Sequence, residues 1–309
     1  MSSGLVLIDK PSGWTSHDVV ARLRKLAGTR RVGHAGTLDP MATGLLLIGI
    51  NSATKLLTFL VGEDKTYTAT IRLGASTITD DKESEFMSVA TAAEVEALTL
   101  DILESALSNL RGPIEQVPSS VSAIKVDGER AYAKVRSGDE VKLKARPVTI
   151  RRFALLGEPR LVSEGDHTFL DFDAVIDCTS GTYIRALARD LGAALGVGGH
   201  LTELRRTKIG SYTIEQAQAL DGLTAETLKV LPIEVAATQQ FKVRLLSSQD
   251  VIDLRHGKRL RVADETESEP TAAIDAEGKL VAMLTKSGNA AKSLVVFASN
   301  ANDEDDDAK

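Results

Sequence analysis

The sequence predicts a fold that combines helices and strands, with one large domain followed by a small β domain. Two apolar patterns support the combination, because some segments repeat at helical spacing while others alternate with polar residues as half-buried strands do. The 309 residues, 43% of them hydrophobic, are enough for two domains with a sizeable core. From about residue 241 the apolar runs are short and separated by polar turns, which predicts a small β domain over 241–298.

The first elements of the chain lead to a glycine-rich loop. Residues 4–9 form an apolar run that predicts a short buried strand, and Lys-Pro-Ser-Gly at 10–13 predicts a turn after it. A helix with an apolar stripe follows, with Thr15 or Ser16 as its N-cap and Gly28 at its end.

The loop at 33–44 has the sequence Gly-His-Ala-Gly-Thr-Leu-Asp-Pro-Met-Ala-Thr-Gly. Its glycines can adopt positive φ and allow the backbone to approach a ligand closely. Pro40 has no N–H and biases the preceding residue away from the α region, so we expect Asp39 to lie on a loop. An Asp-Pro pair is equally typical of an Asx-turn, and the spacing alone favours neither interpretation.

Strand and helix patterns then alternate along the chain. Residues 65–74 alternate cleanly, and this alternation alone predicts that Tyr67 is a core residue. Residues 79–88 are polar and acidic, which predicts a loop, and a capping box at 91–94 opens the next helix. After about residue 146 the chain returns to strands.

A second alternating strand at 170–178 leads into a helix with an apolar stripe that begins near Ile184. Arg185 lies in the first turn of this helix, where the helix dipole makes a cation slightly unfavourable. A positive group there usually has an anionic partner nearby, although a solvated arginine is the plain alternative. Leu204, taken alone, would simply be a core residue.

The amino-acid composition indicates the cellular compartment in which we expect the protein. The single cysteine, Cys178, excludes an internal disulfide and suggests a reducing environment. No stretch approaches eighteen uninterrupted apolar residues, and no charged region precedes the apolar run at 5–8. We therefore expect neither a membrane span nor a signal peptide, and a cytoplasmic location.

The net charge of the chain does not indicate a nucleic-acid partner, but the distribution of basic residues is compatible with one. The net charge of −6 includes an acidic tail, and without residues 303–309 the chain has 36 basic and 38 acidic residues. Basic clusters such as 151–152 and 205–208 are, taken singly, typical of a solvated face. Several clusters on one surface would form a phosphate-binding groove, so the charge is permissive evidence.

The 33–44 loop resembles the catalytic motif of the TruB family of pseudouridine synthases. The family pattern is Gly-His-x-Gly-x-Leu-Asp-Pro-x-Ala-x-Gly, and each of its fixed positions is present. The resemblance implies that Asp39 is the catalytic carboxylate. It also implies that His34 lines the uridine site, where His34 is our candidate for the residue that fills the space left by an extruded base.

The resemblance extends to two neighbouring segments. In the family a Lys-Pro pair like Lys10-Pro11 packs beside the active-site loop, so we assign it a supporting role. A Lys/Arg-x-Tyr sequence begins the strand at 65, and the family tyrosine, here Tyr67, packs against the target base. An aromatic face suits an extruded base, and the Tyr67 hydroxyl is our candidate for taking a proton from the ribose.

A third motif, Ser-Gly-Thr-Tyr-Ile-Arg at 180–185, also matches the family. The resemblance makes Arg185 the partner of Asp39, because a cation at contact distance favours the charged form of a carboxylate. It makes Tyr183 a residue of the uridine site, and Leu204 a residue that touches the base.

The fold that the resemblance implies is α+β, with a mixed, largely antiparallel central sheet and flanking helices. Its catalytic domain would cover 1–240 and carry an inserted RNA-gripping loop at about 117–147. Residues 241–298 would form a PUA-like RNA-binding module, and we expect 299–309 to be a disordered acidic tail.

The function that the resemblance implies is conversion of uridine to pseudouridine at position 55, in the T-loop of tRNA. The uracil leaves its C–N glycosidic bond, turns, and rejoins the ribose through carbon, so no cofactor is required. Five histidines and one cysteine show no metal-ligand spacing, so we expect no metal site either. We expect tRNA, bound through its T-arm, to be the partner of a monomeric enzyme that acts without a protein partner or a membrane.

Two other classes of function stay open at this point. A non-catalytic RNA-binding or RNA-folding protein could use the same scaffold, and relatives that share the motifs act as guide-RNA-dependent modification subunits. A nucleotide-dependent methyltransferase is a more distant alternative, because no cofactor loop is evident. Whether Asp39 attacks the base or the sugar is also open.

Overall fold

A computed structural model describes residues 2–119, 125–126, 129–130, 144–262 and 269–297. The chain forms two compact units: the first contains 1–40, 44–62 and 209–309, and the second contains 41–43 and 63–208. The predicted inserted loop at 117–147 lies largely, and the predicted tail at 299–309 wholly, outside the described residues. None of the described helices is long and apolar enough to cross a membrane.

Strands outnumber helices in the part of the chain that the structure describes. The strands, in chain order, are β1 (Gly4–Lys10), β2 (Val32–Ala35), β3 (Thr43–Ile50), β4 (Lys65–Leu73), β5 (Ala75–Thr77), β6 (Phe86–Val89), β7 (Gly112–Gln116), β8 (Lys125–Val126), β9 (Glu129–Arg130), β10 (Arg146–Leu155), β11 (Arg160–Glu164), β12 (His167–Cys178), β13 (Gly199–Ile209), β14 (Tyr212–Thr213), β15 (Gln218–Ala219), β16 (Leu231–Pro232), β17 (Lys242–Leu245), β18 (Leu260–Arg261), β19 (Thr271–Ile274), β20 (Leu280–Ser287) and β21 (Ala290–Val296). The α-helices are α1 (Ser16–Ala27), α2 (Leu57–Leu60), α3 (Ala92–Glu96), α4 (Leu100–Asn109), α5 (Ile184–Ala194), α6 (Ile233–Gln240) and α7 (Ser248–Arg255).

The first unit is built on β1 and β3, which pair antiparallel. In this pairing Gly4 lies opposite Ile50 at one end and Lys10 lies opposite Gly44 at the other. β2 pairs antiparallel with β3, while the short β15 runs parallel to β1. Thr15 is the N-cap of α1 in a capping box, and Gly28 ends the helix in the left-handed conformation. The predicted strand, turn and helix at 4–28 are therefore confirmed.

The second unit contains the strand order β13-β4-β12-β10-β7, with β11 paired to β12. β4 and β12 pair antiparallel over nine residues. Lys65 lies opposite Cys178 at one end, and Leu73 lies opposite Leu170 at the other. On one face the apolar residues are buried, as the alternation predicted. On the opposite face polar side chains bond across the two strands, with Thr66 to Asp177 at 2.6 Å, Thr70 to Asp173 at 2.6 Å and Arg72 to Asp171 at 2.8 Å.

The C-terminal β domain is a five-stranded sheet in the order β17-β19-β20-β21-β18, within the first unit. One face of it packs with α7 around Leu254 and Leu284. The other face contributes residues such as Met283 and Phe297 to the core cluster that also contains Leu5 and Leu47. This sheet therefore shares a hydrophobic core with β1 and β3, and the division at residue 240 remains a prediction.

These arrangements confirm the predicted α+β class, in which antiparallel pairs predominate and β1–β15 and β17–β19 are parallel. Local details differ from the sequence prediction. The helix that begins after Thr91 is split into α3 and α4. Residues 51–61, whose apolar residues recur at helical spacing, form a 3₁₀ turn at Asn51–Lys55 followed by the one-turn α2. The acidic loop at 79–88 ends in β6, which pairs with β5.

Candidate active site

The loop that carries Asp39 connects β2 and β3 in an irregular conformation, as the sequence predicted. Asp39 is half-buried. Two glycines of the motif, Gly36 and Gly44, have φ of +83° and +99°, which confirms that the loop needs glycine for its backbone path.

The Lys10-Pro11 turn holds the C-terminal side of Asp39. The fully buried Lys10 side chain donates from Nζ to the carbonyl oxygens of Trp14 at 2.6 Å, Pro11 at 3.0 Å and Pro40 at 3.3 Å. The amide of Gly13 donates to the same Pro40 oxygen at 2.8 Å. These contacts are the geometry expected of a supporting residue.

Ser16 holds the N-terminal side of Asp39. Its Oγ accepts a hydrogen bond from the Leu38 amide at 2.9 Å and donates to the Leu38 carbonyl at 3.2 Å. Only 1% of Ser16 is exposed, so water does not compete for these bonds. From the sequence Ser16 was a candidate only for the helix cap, and the cap is Thr15.

His34 lies on β2, where it is half-buried and pairs with Ile48 of β3. Its ring meets the ring of His17 edge-on, with centroids 5.6 Å apart. The role of His34 in filling the space of an extruded base remains a prediction.

Tyr67 lies near the start of β4, opposite Ile176 of β12, and is 7% exposed. Two residues earlier, burial and the nearby Arg206 guanidinium lower the pKa of the Lys65 ammonium to about 8. The low pKa of Lys65 could not be predicted from the neighbouring residues, because Arg206 is distant in the sequence.

Arg185 is 7% exposed at the start of α5, and it has a carboxylate partner that sequence analysis missed. Its Nη1 donates to Asp81 Oδ2 at 3.1 Å and to the Thr79 carbonyl at 2.8 Å. Asp81 is 1% exposed, so this is a buried ion pair. An anionic partner for Arg185 was expected from its place on the helix, whereas the pairing of Arg185 with Asp39 remains a prediction.

The loop around Asp81 is itself tightly held. Asp81 accepts from the Glu83 amide at 3.0 Å, and Thr77 Oγ1 donates to its carbonyl at 2.8 Å. The preceding Asp80 has a φ of +59° and bonds Arg189 of α5 at 3.2 Å. Burial raises the pKa of the Asp80 carboxyl, and the Arg189 guanidinium opposes that shift.

Tyr183 precedes α5, and Gln116 at the end of β7 holds its peptide groups. The Gln116 amide donates from Nε2 to the Tyr183 carbonyl at 3.0 Å and accepts from the Tyr183 amide at 2.8 Å. Gln116 is 1% exposed. The contact between Gln116 and Tyr183 was not predicted, because the two residues are 67 positions apart in the sequence.

Leu204 lies on β13 and is 8% exposed. Its carbonyl accepts from Thr43 Oγ1 at 3.5 Å, and the same hydroxyl accepts from Arg205 at 3.4 Å. Burial of this kind is also expected of an ordinary core leucine, so contact of Leu204 with a base remains a prediction.

Each unit contains part of the predicted site. Asp39 and His34 belong to the first unit, and the other four predicted residues to the second. Within the described parts of the chain, no group of three or more His, Cys, Asp or Glu side chains is arranged to hold a metal ion. That the reaction needs neither metal nor cofactor stays an expectation.

Three family models match consecutive parts of the chain. "TruB family pseudouridylate synthase (N terminal domain)" matches residues 24–184, and so includes the Asp39 loop and Tyr183. "tRNA pseudouridylate synthase B C-terminal domain" matches 185–234, and "tRNA Pseudouridine synthase II, C terminal" matches 241–298.

Similar proteins cover nearly the whole chain. A protein of Paenarthrobacter aurescens (strain TC1) named tRNA pseudouridine synthase B is 55% identical over 305 residues, 96% of each chain. One of Thermobifida fusca (strain YX) with the same name is 50% identical over 298 residues, 96% of this chain and 99% of the other. Among solved structures, a chain of a Cbf5-Nop10-Gar1 complex is 25% identical with a TM-score of 0.68, and the match covers 96% of this chain and 85% of that one.

Proposed function

Because the chain belongs to the TruB family of pseudouridylate synthases, we propose that it isomerises uridine to pseudouridine at position 55, in the T-loop of tRNA, with Asp39 as the catalytic carboxylate. One observation supports the role of Asp39 above all. Buried side chains bond the peptide groups on both sides of it, Ser16 at Leu38 and Lys10 at Pro40, as a preorganised catalytic group requires.

The reaction is balanced within the nucleoside. The bond between ribose C1′ and uracil N1 breaks, the uracil turns, and a bond forms between C1′ and C5. The hydrogen on C5 leaves to solvent, and N1 gains a proton. In the proposed site the Asp39 carboxylate acts on the extruded uridine, and Arg185 keeps this carboxylate ionised. Tyr67 packs on the base, takes a proton from the ribose while the uracil is detached, and returns it when the bond between C1′ and C5 forms. Tyr183 and Leu204 line the pocket, and His34 fills the vacated space.

The partner in this proposal is the T-arm of tRNA, bound by a monomer in the cytoplasm without an obligatory protein partner. The names of the relatives at 50–55% identity support tRNA as the substrate. Residues 241–298, which match a TruB C-terminal family model, would contact the RNA as a PUA-like module.

A tritium-release assay tests the proposal. The substrate is an unmodified tRNA transcript with tritium on uracil C5, and we expect the wild type to release tritium in proportion to the pseudouridine formed. Asp39→Ala and the isosteric Asp39→Asn should reduce release to the uncatalysed background. Asp221→Ala, which removes an exposed carboxylate of the same unit, is the matched control and should keep full activity.

Other outcomes would contradict the proposal in distinct ways. Release at a uridine other than 55, mapped by primer extension after carbodiimide treatment, would exclude the T-loop assignment. Undiminished release by Asp39→Asn would exclude Asp39 as the catalytic group. Binding of tRNA without release would favour a binding protein or a guided subunit, and the structural neighbour in a complex with Nop10 and Gar1 makes the latter the second candidate.

A further inference from the structure

A surface cavity of about 580 Å³ lies on the first unit beside the start of α1. Its lining residues are Gly13, Trp14, Asp18, Arg22 and Lys25. The cavity adjoins the catalytic loop, because the amide of Gly13 donates to the Pro40 carbonyl at 2.8 Å. None of these five residues has a part in the chemistry proposed above.

Trp14 provides a fixed aromatic surface in this cavity. It is half-buried and packs against the core cluster of β1, β3 and α1, and it also lines the cavity. The carbonyl of Trp14 accepts from the buried Lys10 ammonium at 2.6 Å, which fixes its backbone. An indole held in this way is suited to stack on a planar ligand, because little conformational entropy is lost on binding.

The two cations that line the cavity, Arg22 and Lys25, are not neutralised by ion pairs with the described residues. The Arg22 guanidinium lies 5.9 Å from the centre of the Trp14 ring, and its single hydrogen bond among the described residues is a long one, 3.4 Å, to the Leu223 carbonyl. Neither Arg22 nor Lys25 forms an ion pair with any residue that the structure describes. The one acid, Asp18, already accepts from the amide and hydroxyl of Thr15 in the capping box.

A second cavity, of about 600 Å³ in the other unit, provides a contrast, because carboxylates neutralise its arginine. Its Arg72 bonds Asp171 at 2.8 Å and Glu164 at 2.6 Å. Among the described residues, no carboxylate forms an ion pair with Arg22 or Lys25, and Asp18 is bonded to Thr15, so the chemistry of that cavity favours an anionic ligand with a planar group.

We propose that the Trp14 cavity binds one unpaired nucleotide of the RNA substrate, outside the uridine that reacts. The base stacks on Trp14, and its phosphate lies between Arg22 and Lys25. The identity of the RNA rests on the proposed function, whereas the cavity and its charges do not. This site holds RNA next to the catalytic loop and contributes to binding, not to the chemical step.

The intrinsic fluorescence of the protein tests the proposal directly, since Trp14 is the single tryptophan of the chain. The full-length Asp39→Ala variant is titrated with unmodified tRNA transcript, so that the RNA stays unreacted. We expect quenching of the Trp14 emission that saturates over the same concentrations as RNA retention on a filter. Binding on the filter with unchanged emission would overturn the proposal, whatever the activity of the wild type.

Substitutions separate stacking from charge. Trp14→Leu keeps an apolar side chain against the core but removes the aromatic face, and it should weaken tRNA binding about tenfold. Trp14→Phe should restore most of the affinity. Both variants should keep the wild-type kcat at saturating tRNA, and equal affinity of Trp14→Leu and wild type would contradict stacking.

A neighbouring arginine gives the matched control for charge. Arg22→Gln and Lys25→Gln should each lower the slope of log K against log salt by about one, because each removes a phosphate contact. Arg24→Gln removes the same charge from the same helix at an exposed position that does not line the cavity, and should change the slope much less. An equal effect of all three would indicate diffuse attraction and overturn the proposed site.

These outcomes are independent of the test of the proposed function. If the wild type releases no tritium from tRNA, the proposed reaction fails even where Trp14 is quenched. If tritium is released but Trp14 does not respond to RNA, the reaction stands and the nucleotide site is wrong.

Discussion

Two buried side chains, Lys10 and Ser16, bond the peptide groups that flank Asp39. A carboxylate acts efficiently only when it is held within a fraction of an ångström of its productive position. The loop contains glycines with positive φ, and because glycine is conformationally permissive, the loop backbone alone does not hold Asp39 in one position. We infer that the position of Asp39 depends on contacts made by residues that do not touch the substrate.

Ser16→Ala should lower kcat by about tenfold and leave KM nearly unchanged, because it removes both bonds to Leu38 and loosens Asp39 without altering the pocket. Steady-state tritium release measures both constants. Thr15→Ala is the matched control: it removes the helix cap and about 1 kcal/mol of stability, but not the bonds to Leu38. A similar loss of kcat in both variants would mean that Ser16 acts only through the stability of α1.

Lys65 gives the stability of the protein a pH dependence. Its pKa in the folded chain is about 8, below its ordinary value of 10.5, so the unfolded chain binds the proton more tightly. The charged form therefore costs roughly 3 kcal/mol at neutral pH, and this cost is relieved as the pH rises from 8 to 10.5.

Lys65→Met should accordingly be more stable than the wild type at pH 7, with the difference shrinking as the pH rises through that window. Urea unfolding at pH 7 and at pH 10 measures the two free energies. The comparison with the variant cancels the titrations of groups that do not interact with Lys65. A constant difference between the two proteins would show that Lys65 is not strained.

The start of α5 depends on a strand that is remote in the sequence. Gln116 at the end of β7 bonds the amide and the carbonyl of Tyr183, in the way that a neighbouring strand would. Its side chain thereby fixes the peptide that leads into Arg185. The helix N-terminus has no side-chain cap of its own, which makes this external contact more important.

Gln116→Ala should reduce kcat/KM by about tenfold or more, because it removes both hydrogen bonds from the Gln116 side chain to the Tyr183 peptide groups and leaves the carbonyl with its bond from the Leu187 amide. Glu115→Ala changes the adjacent, exposed residue of the same strand and should have no measurable effect. Gln116→Asn, with a shorter amide, should recover little activity, whereas a purely space-filling role would predict substantial rescue.

Sequence patterns predicted the elements that are defined locally. The alternation at 65–74 and 170–178, the capped helix at 16–27 and the loop position of Asp39 all depend on neighbouring residues, and all agree with the structure. Resemblance supplied the fold as a whole, which the matching family models and the solved neighbour confirm.

The side chains that fix the predicted site residues were not predictable in the same way. Their partners are far apart in the sequence, so no periodicity connects them, and a single serine, aspartate or glutamine is common in any chain. The separations are 22 residues for Ser16 and Leu38, 104 for Arg185 and Asp81, and 67 for Gln116 and Tyr183.

The first unit has one core that two sheets share. Met283 of β20 belongs to the cluster that includes Leu5 and Leu47, whereas its neighbour Leu284 points into the cluster within the C-terminal sheet. We therefore expect the C-terminal β domain and the strands β1 and β3 to unfold as one cooperative unit.

Met283→Ala should increase amide hydrogen exchange in β1 and β3 as well as in β19 and β20, since a buried methionine replaced by alanine costs about 2–5 kcal/mol. Leu284→Ala removes an equally buried side chain from the same strand, and should increase exchange within the five-stranded sheet alone. If both variants affect only the C-terminal sheet, that sheet is an independent domain.

The polar ladder between β4 and β12 bears on how the chain avoids misfolding. A slip of two residues would keep the apolar face apolar, so hydrophobicity alone cannot reject it. In one direction the slip sets Asp171 opposite Gly74, and in the other it sets Asp177 opposite Asp64. Only the native register places a side chain that can donate a hydrogen bond opposite each of the three aspartates, so we infer that the ladder selects this register during strand pairing.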